Sequence, residues 1–134
     1  MLINELTGIV VDSCIKIHKK IGPGCYENTY EKILAHELMN RGIKVDRQLH
    51  FPIQYEDLFI PNAYKLDMLV DDRLVLELKS VNPVPSVFFN QLSTYLGLTE
   101  LKHGMLLNFK EVKMIDGIHR LFNNSGNEYL EKQE

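Results

Sequence analysis

The stretch from Lys65 to Ser80 reads KLDMLVDDRLVLELKS and determines how the rest of the chain is arranged. Two apolar runs flank an Asp-Asp-Arg sequence, and each run has the length of a strand bounded by turn residues. Three charged residues, Asp67, Glu77 and Lys79, interrupt these apolar runs. Since side chains alternate along a strand, Glu77 and Lys79 share one face. We therefore predict a β-hairpin that carries charged side chains on an otherwise buried surface.

The register of this hairpin decides which side chains face one another. Asp67 lies opposite Glu77 only if the loop has an odd number of residues, and the shortest such loop is 71–73, with Val70 opposite Leu74. A two-residue turn would place a leucine opposite Asp67 and separate the two carboxylates. Strict alternation divides the first strand into two faces, with Lys65, Asp67 and Leu69 on one and Leu66, Met68 and Val70 on the other.

The composition indicates a single globular domain. With 134 residues, 45% of them hydrophobic and 25% charged, the chain can bury a core but has no room for a second independent domain. We expect one domain over 1–134, with its core at about 5–122 and a frayed tail at 123–134. No run of about 18 apolar residues is present and the first residues lack a signal-peptide pattern, so we expect a cytoplasmic protein without membrane association.

The charge balance and the cysteines argue against two kinds of protein. A net charge of -3 disfavours a protein that coats nucleic acid non-specifically. A local basic groove stays compatible with that total, because carboxylates gathered at a metal site lower it. The cations that could line such a groove are Lys16, Lys19, Lys20, Lys44, Arg47 and Lys65. Cys14 and Cys25 have no CxxC or CxxH spacing, so neither a zinc site nor a disulfide framework is indicated.

The rest of the chain alternates between helical and extended patterns. Helices are predicted at about 2–20, 26–40 and 86–98, and strands at about 44–55, 65–70, 74–79, 104–109 and 117–122. Pro52 favours a bulge or a sheet edge, and the segment LFIP at 58–61 is a short connection into the hairpin. The strand at 104–109 favours a parallel neighbour because a helix precedes it. This order predicts an α/β domain with a mixed sheet flanked by helices.

Asp67, Glu77 and Lys79 have a clear chemical use. Two carboxylates and the backbone carbonyl of Leu78 can bind Mg²⁺ or Mn²⁺ through oxygen atoms and leave positions for water and a phosphate oxygen. Lys79 could orient or activate the attacking water, or neutralise charge on the phosphoryl group. An exposed ion pair on a sheet face explains the same D-x9-E-x-K spacing, so spacing alone leaves both interpretations open.

The hairpin resembles the signature of the PD-(D/E)XK nuclease superfamily, in which an Asp ends one strand and an E-x-K tripeptide lies on the next. Residues 24–30, GCYENTY, match the motif of the GxxExxY protein family, a branch of that superfamily. Further segments similar to this family are Gly22-Pro23-Gly24, Arg47-Gln48 and Gln91-Leu92-Ser93-Thr94-Tyr95-Leu96. Leu66 replaces the proline of the superfamily name, at a position with little chemical role. The resemblance extends over about residues 5–122.

This resemblance implies a restriction-endonuclease-like fold with an αβββαβ core and acidic residues at one edge of the sheet. It also implies that Glu27 supplies a third carboxylate and that Gln91 positions the water. Tyr30 and Tyr95 are candidates for a supporting role on the residues themselves, Tyr95 only if its hydroxyl lies in the cleft. Each has a simpler interpretation: Glu27 complements a helix dipole, Gln91 is solvated, and the tyrosines pack. Tyr30 in a supporting role would hydrogen-bond Glu27 or a phosphate.

The combined prediction is a divalent-metal-dependent nuclease that hydrolyses phosphodiester bonds in DNA, with RNA less favoured. Asp67 and Glu77 would bind Mg²⁺ or Mn²⁺, and Lys79 would assist catalysis. The alternative is a catalytically silent nuclease-fold module that binds nucleic acid or a protein partner, since fold alone does not imply activity. A small-nucleotide phosphodiesterase fits the same site. A domain of this size contacts little DNA, so we expect a homodimer.

Overall fold

The computed structural model describes residues 1–131 and contains helices and strands in the predicted order. The helices are α1 (Ile3–Ile21), α2 (Glu27–Asn40) and α3 (Ser86–Thr99). The strands are β1 (Val45–Tyr55), β2 (Leu58–Val70), β3 (Leu74–Lys79), β4 (His103–Asn108) and β5 (Ile118–Phe122). A short 3₁₀ turn, Met114–Gly117, precedes β5.

The strands form one mixed sheet in the order β1-β2-β3-β4-β5. Neighbouring strands are antiparallel except β3 and β4, which run parallel because α3 carries the chain back between them. This confirms the parallel pairing predicted for β4. The order α2, β1, β2, β3, α3, β4 is the predicted restriction-endonuclease-like core, with α1 and β5 added to it.

Helices cover both faces of the sheet and bury a separate apolar cluster on each. The cluster beneath α1 and α2 includes Leu6, Val10, Tyr30, Leu34, Met68, Val70, Leu74, Leu76 and Leu78. The cluster beneath α3 includes Leu66, Leu69, Val75, Leu92, Leu96 and Leu106. Because the central strands are covered on both sides, β3 and β4 are nearly continuous runs of buried residues.

The hairpin turn between β2 and β3 has the predicted odd-numbered loop, with Val70 paired to Leu74. Asp71 and Asp72 adopt φ values of 55° and 57°, in the left-handed region that aspartate tolerates better than most residues. The Lys44 ammonium binds the Asp72 carboxylate at 2.9 Å and ties the turn to the start of β1. The register on which the acidic pair depends is therefore confirmed.

Two features of the β1–β2 hairpin concern its prolines. The segment at 58–61 is part of a continuous β2 rather than a separate connection. Pro61 is tolerated there because it pairs with no residue of β1, and β3 pairs only with Met68 to Val70. β1 is the edge strand of the sheet, and its register with β2 shifts between Phe51 and Ile53, where Pro52 lies opposite 61–63. Both settings predicted for Pro52, a sheet edge and a bulge, are therefore present.

Residues 123–131 pack against the domain, whereas the sequence predicts a frayed tail from 123 to 134. The Leu130 N–H donates to the Asp72 carbonyl at 2.7 Å. The Arg73 guanidinium is buried, and it binds the Glu128 carboxylate at 3.1 Å and lies 4.6 Å from the Tyr129 ring centroid. A buried cation requires such partners, so Arg73 holds the segment in place. Residues 132–134 lie outside the described part of the chain.

Candidate active site

The two carboxylates of the predicted pair lie where β2 and β3 separate. Regular pairing of these strands ends at Met68 and Leu76. Beyond that point, the Asp67 N–H donates to Glu77 Oε1 at 3.2 Å, and the Leu78 N–H donates to Asp67 Oδ2 at 3.0 Å. Side-chain oxygens thus replace the carbonyl acceptors of a normal ladder. Asp67 and Glu77 are brought together, as the sequence predicts.

Burial makes this pair electrostatically unfavourable when both groups are ionised. Glu77 is only 4% exposed. Burial, and then the negative charge of Asp67, raise the pKa of the Glu77 carboxyl to about 8, while the nearby Lys79 charge acts in the opposite direction. A bound cation would remove the repulsion between the two carboxylates. The site is therefore suited to hold positive charge.

Lys79 and the Leu78 carbonyl complete the predicted set on β3. The Lys79 ammonium lies 4.1 Å from the Phe88 ring centroid, so a cation–π contact holds it against α3. The Lys79 carbonyl accepts from the Phe109 N–H at 2.9 Å and hence faces β4. Because carbonyl directions alternate along a strand, the Leu78 carbonyl points to the opposite side, toward Asp67.

The donor set fits a hard divalent cation. Mg²⁺ is usually held by one or two carboxylates, with water and phosphate oxygens filling its other positions, and Asp67, Glu77 and the Leu78 carbonyl provide such oxygens. Within residues 1–131, no group of three or more His, Cys, Asp or Glu side chains could hold a metal ion. Glu27 is therefore not placed as a third carboxylate in this arrangement. It accepts a hydrogen bond from the Ser80 N–H at 3.2 Å and so holds the residue that follows Lys79.

Tyr30 belongs to the core rather than to the site. Its side chain is fully buried, and its ring stacks on Phe109 with 4.3 Å between centroids. Its hydroxyl donates to the Gly22 carbonyl and accepts from the Cys25 N–H. The expected hydrogen bond to Glu27 or a phosphate is thus replaced by contacts that fix the loop between α1 and α2. The simpler interpretation of Tyr30, packing, describes its position.

Tyr95 lies beside the carboxylates, and Gln91 lies one helical turn before it on α3. Burial, followed by the charges of Glu77 and Asp67, raises the pKa of the Tyr95 phenol, which places this hydroxyl within their electrostatic reach. The Tyr95 ring stacks on Tyr64 at 5.2 Å between centroids. Gln91 is exposed and, within the described residues, its side chain makes no hydrogen bond.

Comparison with known families agrees with this geometry. A sequence profile of the PD-(D/E)XK nuclease superfamily matches residues 4–121. The chain belongs to the PD-(D/E)XK nuclease superfamily. No curated protein and no solved structure matched the chain. Membership suggests a nuclease that binds nucleic acid, and nucleases of this superfamily generally use divalent metals. None of the helices within residues 1–131 has the length and apolar character needed to cross a membrane.

This nuclease-superfamily domain has an open cleft of about 670 Å³ at the end of β3. The cleft is lined by Gly24, Cys25, Tyr26, Glu27, Asn28, Ser80 and Lys110. Ser80 joins its two sides, because its N–H donates to Glu27 and its hydroxyl donates to the Cys25 carbonyl at 3.3 Å. The GCYENTY motif therefore forms a wall beside the end of the E-x-K strand.

Sequence reasoning assigned no role to Glu31, a buried carboxylate on α2. Its oxygens accept from the Gln48 side-chain amide, both at 2.8 Å, and from Arg47 Nε at 3.2 Å. Glu31 follows Glu27 by four residues and so lies on the same helix face. This spacing is the feature of the sequence that could have identified Glu31 as a residue near the site. That signal is weak, since charged residues at this spacing usually cover a solvated face.

Half of the cations expected to line a basic groove are bound to carboxylates instead. Ion pairs at 2.9, 2.9 and 3.2 Å join Lys16 to Glu37, Lys44 to Asp72 and Arg47 to Glu31. Lys19, Lys20 and Lys65 are exposed and have no ion-pair partner within residues 1–131. The expected groove is thus reduced to these three cations.

Proposed function

We propose that this chain is a divalent-metal-dependent nuclease that hydrolyses phosphodiester bonds in DNA, with RNA as a less favoured substrate. The observation that carries the proposal is the juxtaposition of Asp67 and Glu77 where β2 and β3 separate, with Lys79 two residues further along β3. An exposed ion pair on the sheet face, the structural alternative, would not bury the Glu77 carboxylate beside that of Asp67. The GCYENTY motif further supports a place in the GxxExxY branch of the superfamily.

Asp67, Glu77 and the Leu78 carbonyl would hold Mg²⁺ or Mn²⁺ in this proposal. When bound, the metal would act as a Lewis acid toward a phosphate oxygen and lower the pKa of a coordinated water. The unfavourable charge of the carboxylate pair supports this assignment, because a cation is what the pair lacks. Two carboxylates also leave enough positions for water and substrate.

Lys79 would stabilise the negative charge that develops on the phosphoryl group, since its ammonium lies near Glu77 on the same face of β3. The Phe88 ring restricts the positions that this ammonium can adopt. The neutral Tyr95 phenol would donate a hydrogen bond to a phosphate oxygen or to the attacking water. Gln91, exposed on the same face of α3, would position that water once substrate is present. Glu27 would act by holding the Ser80 N–H, and thereby the end of β3.

The test is a cleavage assay with purified protein. Plasmid, single-stranded DNA, RNA and dinucleotides are incubated with Mg²⁺, with Mn²⁺ and with EDTA. We expect cleavage of DNA that requires the metal and is lost in Asp67→Ala and Lys79→Ala. Asp72→Ala is the matched control, because Asp72 is an acidic residue of the same hairpin that pairs with Lys44 outside the site.

Each alternative outcome has its own meaning. Cleavage that survives both Asp67→Ala and Lys79→Ala contradicts the assignment of the site. Turnover of dinucleotides without turnover of polymers supports a small-nucleotide phosphodiesterase. Nucleic-acid binding without any hydrolysis, in the presence of either metal, supports a catalytically silent module.

A further inference from the structure

The Arg47-Gln48 segment of β1 has no role in the proposed chemistry, yet both of its side chains bind the same buried carboxylate. Both oxygens of the Glu31 carboxylate accept from Gln48 Nε2 at 2.8 Å, and Oε1 also accepts from Arg47 Nε. Glu31 is 4% exposed and lies on α2, so this contact joins the first part of β1 to the helix. Such a contact is stronger than a surface ion pair because a charged acceptor is shielded from water.

Gln48 has an unusual backbone conformation at the position of this contact. Its φ is 52°, in a region that residues other than glycine seldom occupy. It lies across from Asp67, between the pairs Arg47–Met68 and Leu49–Leu66, and the Gln48–Asp67 pair itself is missing from the ladder. A conformation of this kind persists only where surrounding contacts hold it.

The side-chain directions reverse at this same position. Leu49 and Leu66 pack with the cluster beneath α3. Met68 packs with the cluster beneath α1 and α2. Leu66 and Met68 are two residues apart, so strict alternation would put both on the same face of the sheet. Asp67 lies between them, at the reversal. Its carboxylate consequently points along the sheet to the Leu78 N–H instead of away from a sheet face.

We propose that Glu31 is a positioning residue for the metal site: by holding Gln48 it maintains the reversal in β1 and β2 that aims the Asp67 carboxylate at β3. Glu31 is not itself a ligand, since its oxygens are already occupied by Arg47 and Gln48. The effect on metal binding rests on the proposed function, whereas the effect on the Asp67–Leu78 hydrogen bond does not. The Arg47-Gln48 segment thereby acquires a role in placing Asp67.

The first test is Mn²⁺ affinity, measured by calorimetry on the full chain. Glu31→Gln removes the charge that holds Gln48 and should weaken Mn²⁺ binding about tenfold, the lower end for groups that orient metal ligands. Glu37→Gln is the matched control: Glu37 is also on α2 and is also paired to another element, through Lys16 of α1. The control should retain the wild-type affinity within about twofold.

A second variant covers the case in which Glu31→Gln does not fold. Gln48→Gly removes the amide that Glu31 holds but keeps the positive φ accessible, so strain is not the cause of any loss. In metal-free protein, amide hydrogen exchange then reports the Asp67–Leu78 hydrogen bond directly. We expect the Leu78 N–H to exchange at least about tenfold faster in this variant, with the Leu76 N–H unchanged. A residue that only stabilised the fold would accelerate both amides equally.

The outcomes separate the two proposals. Folded variants that keep Mn²⁺ affinity within about twofold and leave Leu78 exchange unchanged overturn the role of Glu31. Equal acceleration of the Leu76 and Leu78 amides also overturns it. Wild-type protein that binds no Mn²⁺ contradicts the proposed function alone, because the exchange of Leu78 in Gln48→Gly still decides whether the contact positions Asp67.

Discussion

Glu31 and Glu77 are buried to the same extent, each 4% exposed, but their surroundings are opposite. The Glu31 carboxylate accepts three hydrogen bonds from the cationic Arg47 and the amide of Gln48. The Glu77 carboxylate faces a second carboxylate, Asp67, and its pKa is raised to about 8. Burial alone therefore does not distinguish these two acids.

The difference lies in where the compensating charge comes from. A buried carboxylate is tolerated when the chain supplies donors for it, and Glu31 meets that condition. Glu77 and Asp67 share backbone donors but lack enough positive charge from the protein, so they favour a proton or an external cation. This contrast separates the acid that we propose positions the site from the two acids that would bind the metal.

The largest effect is expected from removing a ligand charge. Asp67→Asn should lower Mn²⁺ affinity by roughly a thousandfold, about 4 kcal/mol, since one of two carboxylates is lost. Calorimetric titration measures this directly. Asp72→Asn, in the adjoining turn, should bind Mn²⁺ as the wild type does, and a similar loss in both variants would contradict a specific role for Asp67.

Glu77→Gln should stabilise the metal-free protein at high pH. The pKa of Glu77 in the folded protein, about 8, lies above its ordinary value of 4.5. Ionisation of Glu77 therefore destabilises the folded wild type, and this loss of stability is absent at low pH, grows as the pH rises and is complete above the folded pKa. In EDTA, we expect the variant to gain a few kcal/mol over the wild type near pH 9 and nothing near pH 4. Urea unfolding at both pH values measures the difference. A variant less stable than the wild type at the higher pH would refute the contrast with Glu31.

The same chemical change at Glu31 should have the opposite sign. Glu31→Gln replaces a charged acceptor with an amide and weakens the contacts to Arg47 and Gln48, which should cost about 2 kcal/mol of unfolding free energy. Urea unfolding in EDTA at neutral pH gives this value. Glu37→Gln measures the stability lost with a less buried ion pair. If Glu31→Gln loses no more unfolding free energy than Glu37→Gln, the contrast between Glu31 and Glu77 is wrong.

The smallest effect is expected at Tyr95, whose phenol lies near the pair without joining it. Tyr95→Phe should reduce the rate of DNA cleavage about fivefold, corresponding to one neutral hydrogen bond of about 1 kcal/mol. Tyr64→Phe is the matched control, because Tyr64 stacks on Tyr95 in the same row of rings. Equal rates for Tyr95→Phe and the wild type would assign Tyr95 to packing alone.

Much of the fold was predictable because its signals are local. Periodicity located the helices and strands, and the odd loop at 71–73 correctly set the register that places Asp67 opposite Glu77. The continuation of β2 through Pro61 was not predictable, because the sequence does not show that Pro61 lacks a partner in both neighbouring strands. The packed segment at 123–131 likewise depends on Arg73, a partner more than 50 residues away in the chain.

The sequence by itself predicted the hairpin, its odd-numbered loop and the shared face of Glu77 and Lys79, since alternation and turn length act over a few residues. Tertiary structure alone decided the rest. It turned Leu66 to the α3 face and directed Glu27 to the Ser80 N–H. It also surrounded Glu31 with donors and left Glu77 facing a second acid. Those outcomes depend on which distant groups share a buried space, and burial sets the strength of each charge interaction.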